Sequence, residues 1–228
     1  MTSKDLAIVL VSGGMDSVAC AAVASSKHKE LAFLHVQYGQ NTAKKEKECF
    51  DKISDFYKLP HSNRLTVNLE SLQKIGGSSL TDQNIEVSKF EGDSDVIPSS
   101  YVPFRNAHIL SSAVSWAEVI NANTIYIGAN FEDSPGYPDC RPEYYEAFNH
   151  LIKVGTKEQN IHVETPVISM NKTEIIELAN SLKAPLELSW SCYAQNDVAC
   201  GVCDSCALRL RAFKKLGLED PIKYTIQL

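Results

Sequence analysis

The chain has 228 residues, 44% of them apolar and 22% charged, and carries a net charge of −6. That length supports one substantial core, or one domain with an appended module, and the acidic balance argues against an extended nucleic-acid surface, which needs clustered Lys and Arg. No apolar run reaches the ~18 residues of a membrane span, and Met1-Thr-Ser-Lys-Asp5 lacks a signal-peptide layout, so a cytoplasmic location is expected.

Residues 6–11 (LAIVLV) form an apolar run that reads as a strand. It meets a glycine-rich turn, Ser12-Gly-Gly-Met-Asp-Ser17, and residues 18–26 read as an alanine-rich helix. Strand, tight turn and helix start in succession make an anion site, because the free N–H groups of the first helical turn and the helix dipole point into the loop. Gly13 and Gly14 let a phosphate approach the main chain, and Ser12 and Ser17 add hydroxyl donors. The loop lacks the lysine of G-x-x-x-x-G-K-[ST] and is not G-x-G-x-x-G. Its six residues resemble the PP-loop of the N-type ATP pyrophosphatases, which split ATP into AMP and pyrophosphate to activate an oxygen; an ordinary turn of small residues is the competing reading.

Residues 31–37 predict a second strand, 41–58 an amphipathic helix stopped by Pro60, and 64–69 a third strand. Such alternation implies an α/β fold with a parallel sheet and helices on both faces. Between 70 and 100 the pattern weakens around Gly76-Gly77 and Gly92-Asp93, which suggests a functional loop, a lid or disorder. A helix is expected over 103–120, a strand over 124–127, a helix over 143–155, a strand over 162–165 and a helix over 171–182. In open α/β sheets ligands sit beyond the carboxyl ends of strands, so the loop over 128–141 should share a crevice with the first loop.

Seven cysteines without an export signal suggest metal or thiol chemistry, not a disulfide framework. Four of them, Cys192, Cys200, Cys203 and Cys206, have spacing that suits a closed tetrahedral zinc site, with Gly201 allowing the turn between ligands and Arg209 and Arg211 on a helix that follows. C-x2-C-x2-C also occurs in iron–sulfur binding, and uncoordinated buried thiols are a third reading. Boundaries of 1–185 for an ATP-binding unit and 186–228 for a C-terminal module follow from this placement.

Gly136-Tyr-Pro-Asp-Cys-Arg141 describes a stiff loop presenting an acid, a base and a ring. A flat heterocycle is suited to it: Asp139 to accept from an N–H, Tyr137 to stack, Arg141 to meet an anion; a surface turn with an Asp–Arg pair is the alternative. Cys140, a lone thiol with no visible base, reads as packing more readily than as a nucleophile. Arg105-Asn106 and Lys172 stand at helix starts, where a cation opposes the dipole and better serves a bound anion; a solvated lysine is the bland alternative for Lys172. His35 reads as a core residue, and His108 and His150 carry no assigned role.

S-G-G-M-D-S at 12–17, Y-G-Q at 38–40, S-S-L-T at 78–81, V-P-F-R-N at 102–106, G-Y-P-D-C-R at 136–141, E-T-P at 164–166, N-K-T-E at 171–174 and S-C-Y…C-G-V-C-D-S-C at 191–206 occur in order over nearly the whole chain. Together they resemble the 7-cyano-7-deazaguanine synthase (QueC) family. The resemblance implies a Rossmann-like domain of the adenine nucleotide alpha hydrolase type with a small zinc module. The implied activity is ATP-dependent conversion of 7-carboxy-7-deazaguanine and ammonia to 7-cyano-7-deazaguanine in queuosine biosynthesis, by a cytoplasmic homodimer with one structural zinc per chain and Mg bound with ATP. It implies ATP contacts from Val11, Ser12, Gly13, Gly14, Met15, Asp16, Ser17 and Val18, with Asp16 capping the helix or orienting the metal shell and Lys172 steadying pyrophosphate. Substrate contacts fall on Arg105, Asn106, Tyr137, Asp139 and Arg141. Two departures stand out: Asn41-Thr42 where the family usually has Arg-His, and Phe104 where a glycine is common. Two rival readings are a PP-loop tRNA-thiolating enzyme and a non-catalytic nucleotide-binding module.

Overall fold

A computed structural model describes residues 5–82, 84–86, 97–131 and 137–226. β1 (Leu6–Leu10), β2 (Glu30–Gln37), β3 (Arg64–Asn68), β4 (Thr124–Ile127) and β5 (His162–Glu164) form a five-stranded sheet in the order β3-β2-β1-β4-β5. Every pairing is parallel. All five residues of β1 are buried, as a central parallel strand covered on both faces requires.

The period of two along β1 divides the core. Ala7, Val9 and Val11 join one apolar layer with Phe33 of β2 and with Val18, Phe50, Ile53, Ile175, Ile176 and Phe213, supplied by α1 (Met15–Lys27), α2 (Ala43–Phe56), α6 (Lys172–Ser181) and α7 (Asp204–Lys215). Leu6, Ile8 and Leu10 join the other with Leu72 of α3 (Glu70–Ile75), Leu110 of α4 (Arg105–Ile120), and Tyr145, Phe148 and Ile152 of α5 (Pro142–Gly155). Cys192, Ala199, Cys203 and Cys206 belong to the first layer, so the C-terminal segment packs into the same core as α1 and α6.

The chain builds outward from β1 to β3, then returns to lay β4 on the opposite side of β1. The carboxyl ends of β1 and β4 therefore flank the topological switch point, where open α/β sheets leave a crevice. No described helix is long and apolar enough to cross a membrane.

The expected elements are present with shifted ends. Helix α1 begins at Met15, three residues before the alanine-rich run, because Gly14 holds the N-cap and the loop's own Met15-Asp16-Ser17 forms the first turn. Helix α4 begins at Arg105 because Phe104 stands at φ 56°, ψ 25°, a left-handed conformation that interrupts the helix. That angle favours glycine; Phe104 holds it with its N–H donating to Tyr101 Oη at 3.0 Å. Helix α3, too short to show a period, was not expected from the sequence. Of the loop or lid expected over 70–100, residues 83 and 87–96 lie outside the described residues. Ser78, Ser79, Leu80 and Thr81 are buried, and Asn41 ties them down, its Nδ2 donating to the Ser79 carbonyl at 2.9 Å.

Candidate active site

The PP-loop lies at the end of β1, cross-linked by its own hydroxyls. The Gly14 N–H donates to Ser12 Oγ at 3.2 Å, and Ser17 Oγ donates to the Gly14 carbonyl at 2.8 Å. Gly13 takes φ +92°, and a Cβ there would lie 2.9 Å from Cys49 Cβ and 3.2 Å from the Glu46 carbonyl, so α2 leans directly on the loop. Gly14 has an ordinary extended backbone. Val11, Met15, Ser17 and Val18 are buried and set the loop's floor. The strand β4 delivers Gly128 onto the first turn of α1, where a Cβ would sit 2.8 Å from the Ser17 nitrogen. Asn130 Nδ2 then donates to the Val167 and Met170 carbonyls, fastening this loop to the approach to α6.

Lys172 is the first residue of α6, whose start is held by a capping box between Asn171 and Glu174. Its Nζ lies 2.7 and 2.9 Å from the two Asp16 carboxylate oxygens. The charge that opposes the helix dipole is thus balanced by a carboxylate from the first turn of α1. One alternative for each residue falls away: Asp16 makes no cap, since the N-cap is Gly14 without a side-chain bond, and Lys172 is ion-paired and faces the loop, not solvated.

Across the crevice the N-terminus of α4 meets the 3-10 turn Pro138–Cys140. The Asn106 N–H donates to Asp139 Oδ2 at 3.0 Å, while Asn106 Nδ2 and Tyr145 Oη donate to the Asp139 carbonyl at 2.9 and 3.1 Å. Asp139 is 2% exposed, and its Oδ1 has no hydrogen-bond partner among the described residues. Arg105 donates from Nη1 to Tyr38 Oη at 3.1 Å and leaves its buried Nε similarly unmatched. Burial opposes the Arg105 charge, but Tyr38, Tyr137, Asp139 and Cys140 around it outweigh burial and raise its pKa. Tyr137 is buried, sharing a 2.7 Å hydrogen bond with Ser100 Oγ and packing its ring 5.5 Å from that of Tyr101.

Part of the expected binding equipment is therefore spent on the scaffold. One Asp139 oxygen holds the α4 N-terminus, Asn106 holds the Asp139 segment, and Arg141 is exposed at the N-cap of α5, away from this buried group. Burial pushes the Cys140 thiol up to about 12, so it stays protonated at neutral pH and is no nucleophile.

Behind Arg105 and Tyr38 lies a further polar network. Gln40 accepts from the Tyr38 N–H at 2.8 Å and donates to Glu46 at 2.8 Å, and Thr42 donates to Glu46 at 2.7 Å. Burial raises the Glu46 carboxyl, while the bonds from Thr42 and Gln40 and the Arg105 charge draw it back. The network's signal in the sequence is Tyr38-Gly39-Gln40, whose Tyr38 and Gln40 side chains enter it.

The four cysteine sulfurs lie within 4.8 Å of one another. Cys192 Sγ accepts from the Ala194, Gln195 and Cys200 N–H groups at 3.3–3.4 Å, and Cys200 Sγ accepts from Val202 and Cys203 at 3.4 Å. Such bonds favour thiolates, and Gly201, at φ +81°, makes the turn between them. One zinc ion with ~2.3 Å bonds holds tetrahedral sulfurs about 3.8 Å apart. The Cys200–Cys206 separation is 3.9 Å, so the cysteines fit a single zinc ion better than a bulkier iron–sulfur cluster.

The model of the family described as "Queuosine biosynthesis protein QueC" matches residues 6–217. The chain belongs to the QueC family. Its relatives include the 7-cyano-7-deazaguanine synthase of Chloroherpeton thalassium, 56% identical over 222 residues that cover 97% of each chain. That of Chlorobium phaeobacteroides is 55% identical over 219 residues, 96% of each chain. Among solved structures, the NMN synthetase of Francisella tularensis matches 96% of this chain and 79% of its own with a TM-score of 0.50 at 13% identity, a likeness of fold alone. The QueC motifs at 12–17, 38–40, 102–106, 137–141 and 171–174 all come to the carboxyl-terminal end of the sheet or its loops.

Proposed function

We propose that this chain is an ATP-dependent 7-cyano-7-deazaguanine synthase of queuosine biosynthesis, a carbon–nitrogen ligase acting in the cytoplasm on 7-carboxy-7-deazaguanine and ammonia. The observation that carries the reading is one crevice with a PP-loop on one wall and, on the other, a buried acceptor, Asp139 Oδ1, beside a buried donor, Arg105 Nε, both unmatched among the described residues. Leaving such atoms unpaired costs roughly 1–3 kcal/mol each, and a heterocycle with amino and carbonyl edges satisfies both.

A carboxylate resists ammonia because its leaving group is poor. Its oxygen attacks the α-phosphorus of ATP, pyrophosphate departs, and the acyl adenylate accepts ammonia with loss of AMP and a proton to give the amide. The amide oxygen attacks the α-phosphorus of a second ATP and pyrophosphate departs; the nitrogen then loses its two protons as AMP leaves and the nitrile forms. Ser12, Gly13, Gly14 and Ser17 bind pyrophosphate, and Lys172, turning from Asp16, stabilises the charge that develops on it. Val11, Met15 and Val18 shape the nucleotide floor. Mg bound with ATP supplies charge neutralisation, and Asp16 orients its shell. Arg105 and Asp139 read the deazaguanine, Asn106 and Tyr137 hold them in place, and Arg141 guides the anionic substrate inward. Orientation of the two substrates accounts for much of the rate. In this reading residues 1–185 form the ATP-binding unit, 186–228 a module with one structural zinc, and the working form is a homodimer.

The test is mass spectrometry after incubation with ATP, Mg, ammonia and 7-carboxy-7-deazaguanine. Amide and then nitrile should accumulate, and Lys172→Ala should lower the rate about 10²–10³-fold, the loss typical of one charge-stabilising donor. ATP binding without either product, or thiolation of tRNA instead, would sink the reading.

A further inference from the structure

We propose that Tyr193 contacts the substrate, its ring forming a wall of the heterocycle pocket, and that the four-cysteine site serves the active centre by fixing that ring in place. The inference rests on the assignment of Arg105 and Asp139 as the heterocycle-reading groups.

The segment from Trp190 to Tyr193 connects three sites in four residues. The Trp190 N–H donates to the Gly13 carbonyl at 2.8 Å, so the segment is bonded to the PP-loop itself. The Trp190 indole is buried, donates to the Gln195 carbonyl at 3.0 Å and carries Lys45 Nζ over its face at 4.9 Å. Two residues on, Cys192 Sγ gathers three N–H groups inside the sulfur cluster. Tyr193 follows directly, its backbone N–H against the Cys203 sulfur, which leaves its main chain little freedom once the sulfurs are drawn together.

Its side chain does what no other side chain of this segment does: it packs against both apolar layers, crossing the carboxyl-terminal edge of the sheet from the α1–α7 side to the α4–α5 side. There the phenol lies within electrostatic range of Tyr137, Arg105 and Tyr38, the groups around the unmatched Arg105 Nε. The ring is half-buried, so one part of it packs on the two layers and the rest is open to a ligand. An aromatic face beside a fixed guanidinium is the equipment that holds a flat purine-like ring, by stacking on one side and edge contacts on the other.

The experiment uses the full chain and steady-state kinetics of nitrile formation, with zinc content and melting temperature recorded for each variant. Tyr193→Leu should raise KM for 7-carboxy-7-deazaguanine about ten-fold or more, the range of one lost stacking contact, with KM for ATP within about two-fold and one zinc retained per chain. Tyr193→Phe should restore most of that KM. A Leu variant with zinc in place and substrate KM unchanged overturns the proposal while leaving the synthase reading intact; absence of nitrile from the unmodified protein overturns the synthase reading instead. If the Leu variant loses its zinc, Tyr193→Trp decides. Its fluorescence should change saturably with 7-carboxy-7-deazaguanine beyond the change of the unmodified protein, and a signal that responds to ATP alone overturns the proposal.

Discussion

The two ends of the chain reach the same crevice by opposite physical means. The PP-loop is positioned by apolar burial: β1 is five buried aliphatic residues, each worth roughly 1.5–3 kcal/mol for the larger side chains, and the loop needs only backbone geometry and two serines beyond that. The C-terminal segment buries fewer large apolar side chains of its own, chiefly Leu186, Trp190 and Phe213 beside Ala199, Ala207 and Ala212. It is held by four sulfurs and by Arg209, a fully buried cation that bonds Asp220 at 2.8 and 2.9 Å together with Ser189 and Ser191. Tyr224 closes the group by donating to Asp220 at 2.6 Å. Burial tolerates a lost methylene; a polar anchor fails all at once, because removing one partner strands the others.

The largest effect should therefore come from the sulfurs. Structural zinc contributes roughly 10–16 kcal/mol in small peptides, as much as a typical domain's whole stability of ~5–15 kcal/mol. Cys203→Ser is expected to lose zinc, open residues 190–226 to limited proteolysis and abolish nitrile formation, whereas Ser12→Ala, at the other end, should keep one zinc per chain. Metal analysis and digestion mapping check both, and a Cys203→Ser protein that holds zinc and resists protease would remove the contrast.

Next in size is Arg209. Arg209→Met leaves Asp220 buried and unpaired, which should cost about 3–5 kcal/mol in urea unfolding. Adding Asp220→Leu should recover a large part of that, since an apolar pair of similar volume avoids the desolvation that the ion pair had to overcome. Strict additivity of the two losses would mean that the residues stabilise the fold independently.

These two anchors were unequally legible in the sequence. Cysteine spacing announces a metal site because all four sulfurs come from one short stretch, and SGGMDS after an apolar run announces an anion loop because three local features coincide. Arg209 gave no signal: on α7 it looks like any charged helical residue, and only the packing of residues 186–191 and 220 around it makes it a buried cation. The Lys172–Asp16 pair spans 156 positions, and the two roles of Asp139, one oxygen on a helix start and one unmatched, depend on how α4 meets the Pro138–Cys140 turn. Strand order and the switch point likewise follow from long-range pairing, which a period of two cannot express.

The smallest expected effect lies at the apolar end and shows how far burial alone governs it. His35 is fully buried in β2; with the proton on Nδ1 it donates to the Val11 carbonyl at 3.0 Å, immediately before the PP-loop, while Nε2 has no partner among the described residues and the ring stacks near Phe50. Burial lowers its pKa from the ordinary 6.5; the bond to Val11 and the charge of Asp51 pull it up and Lys47 pushes it down, but burial prevails. With the folded pKa below the unfolded one, the unfolded chain binds more protons as pH falls below 6.5, so the stability His35 contributes is complete above that value and is lost on acidification. His35→Gln removes the titration, so urea stability should decline less between about pH 7.5 and about pH 5.5 than in the unmodified protein. Parallel declines would show that His35 binds its proton as readily in the folded chain as in the unfolded one, and that burial does not govern the floor of the PP-loop as it governs β1.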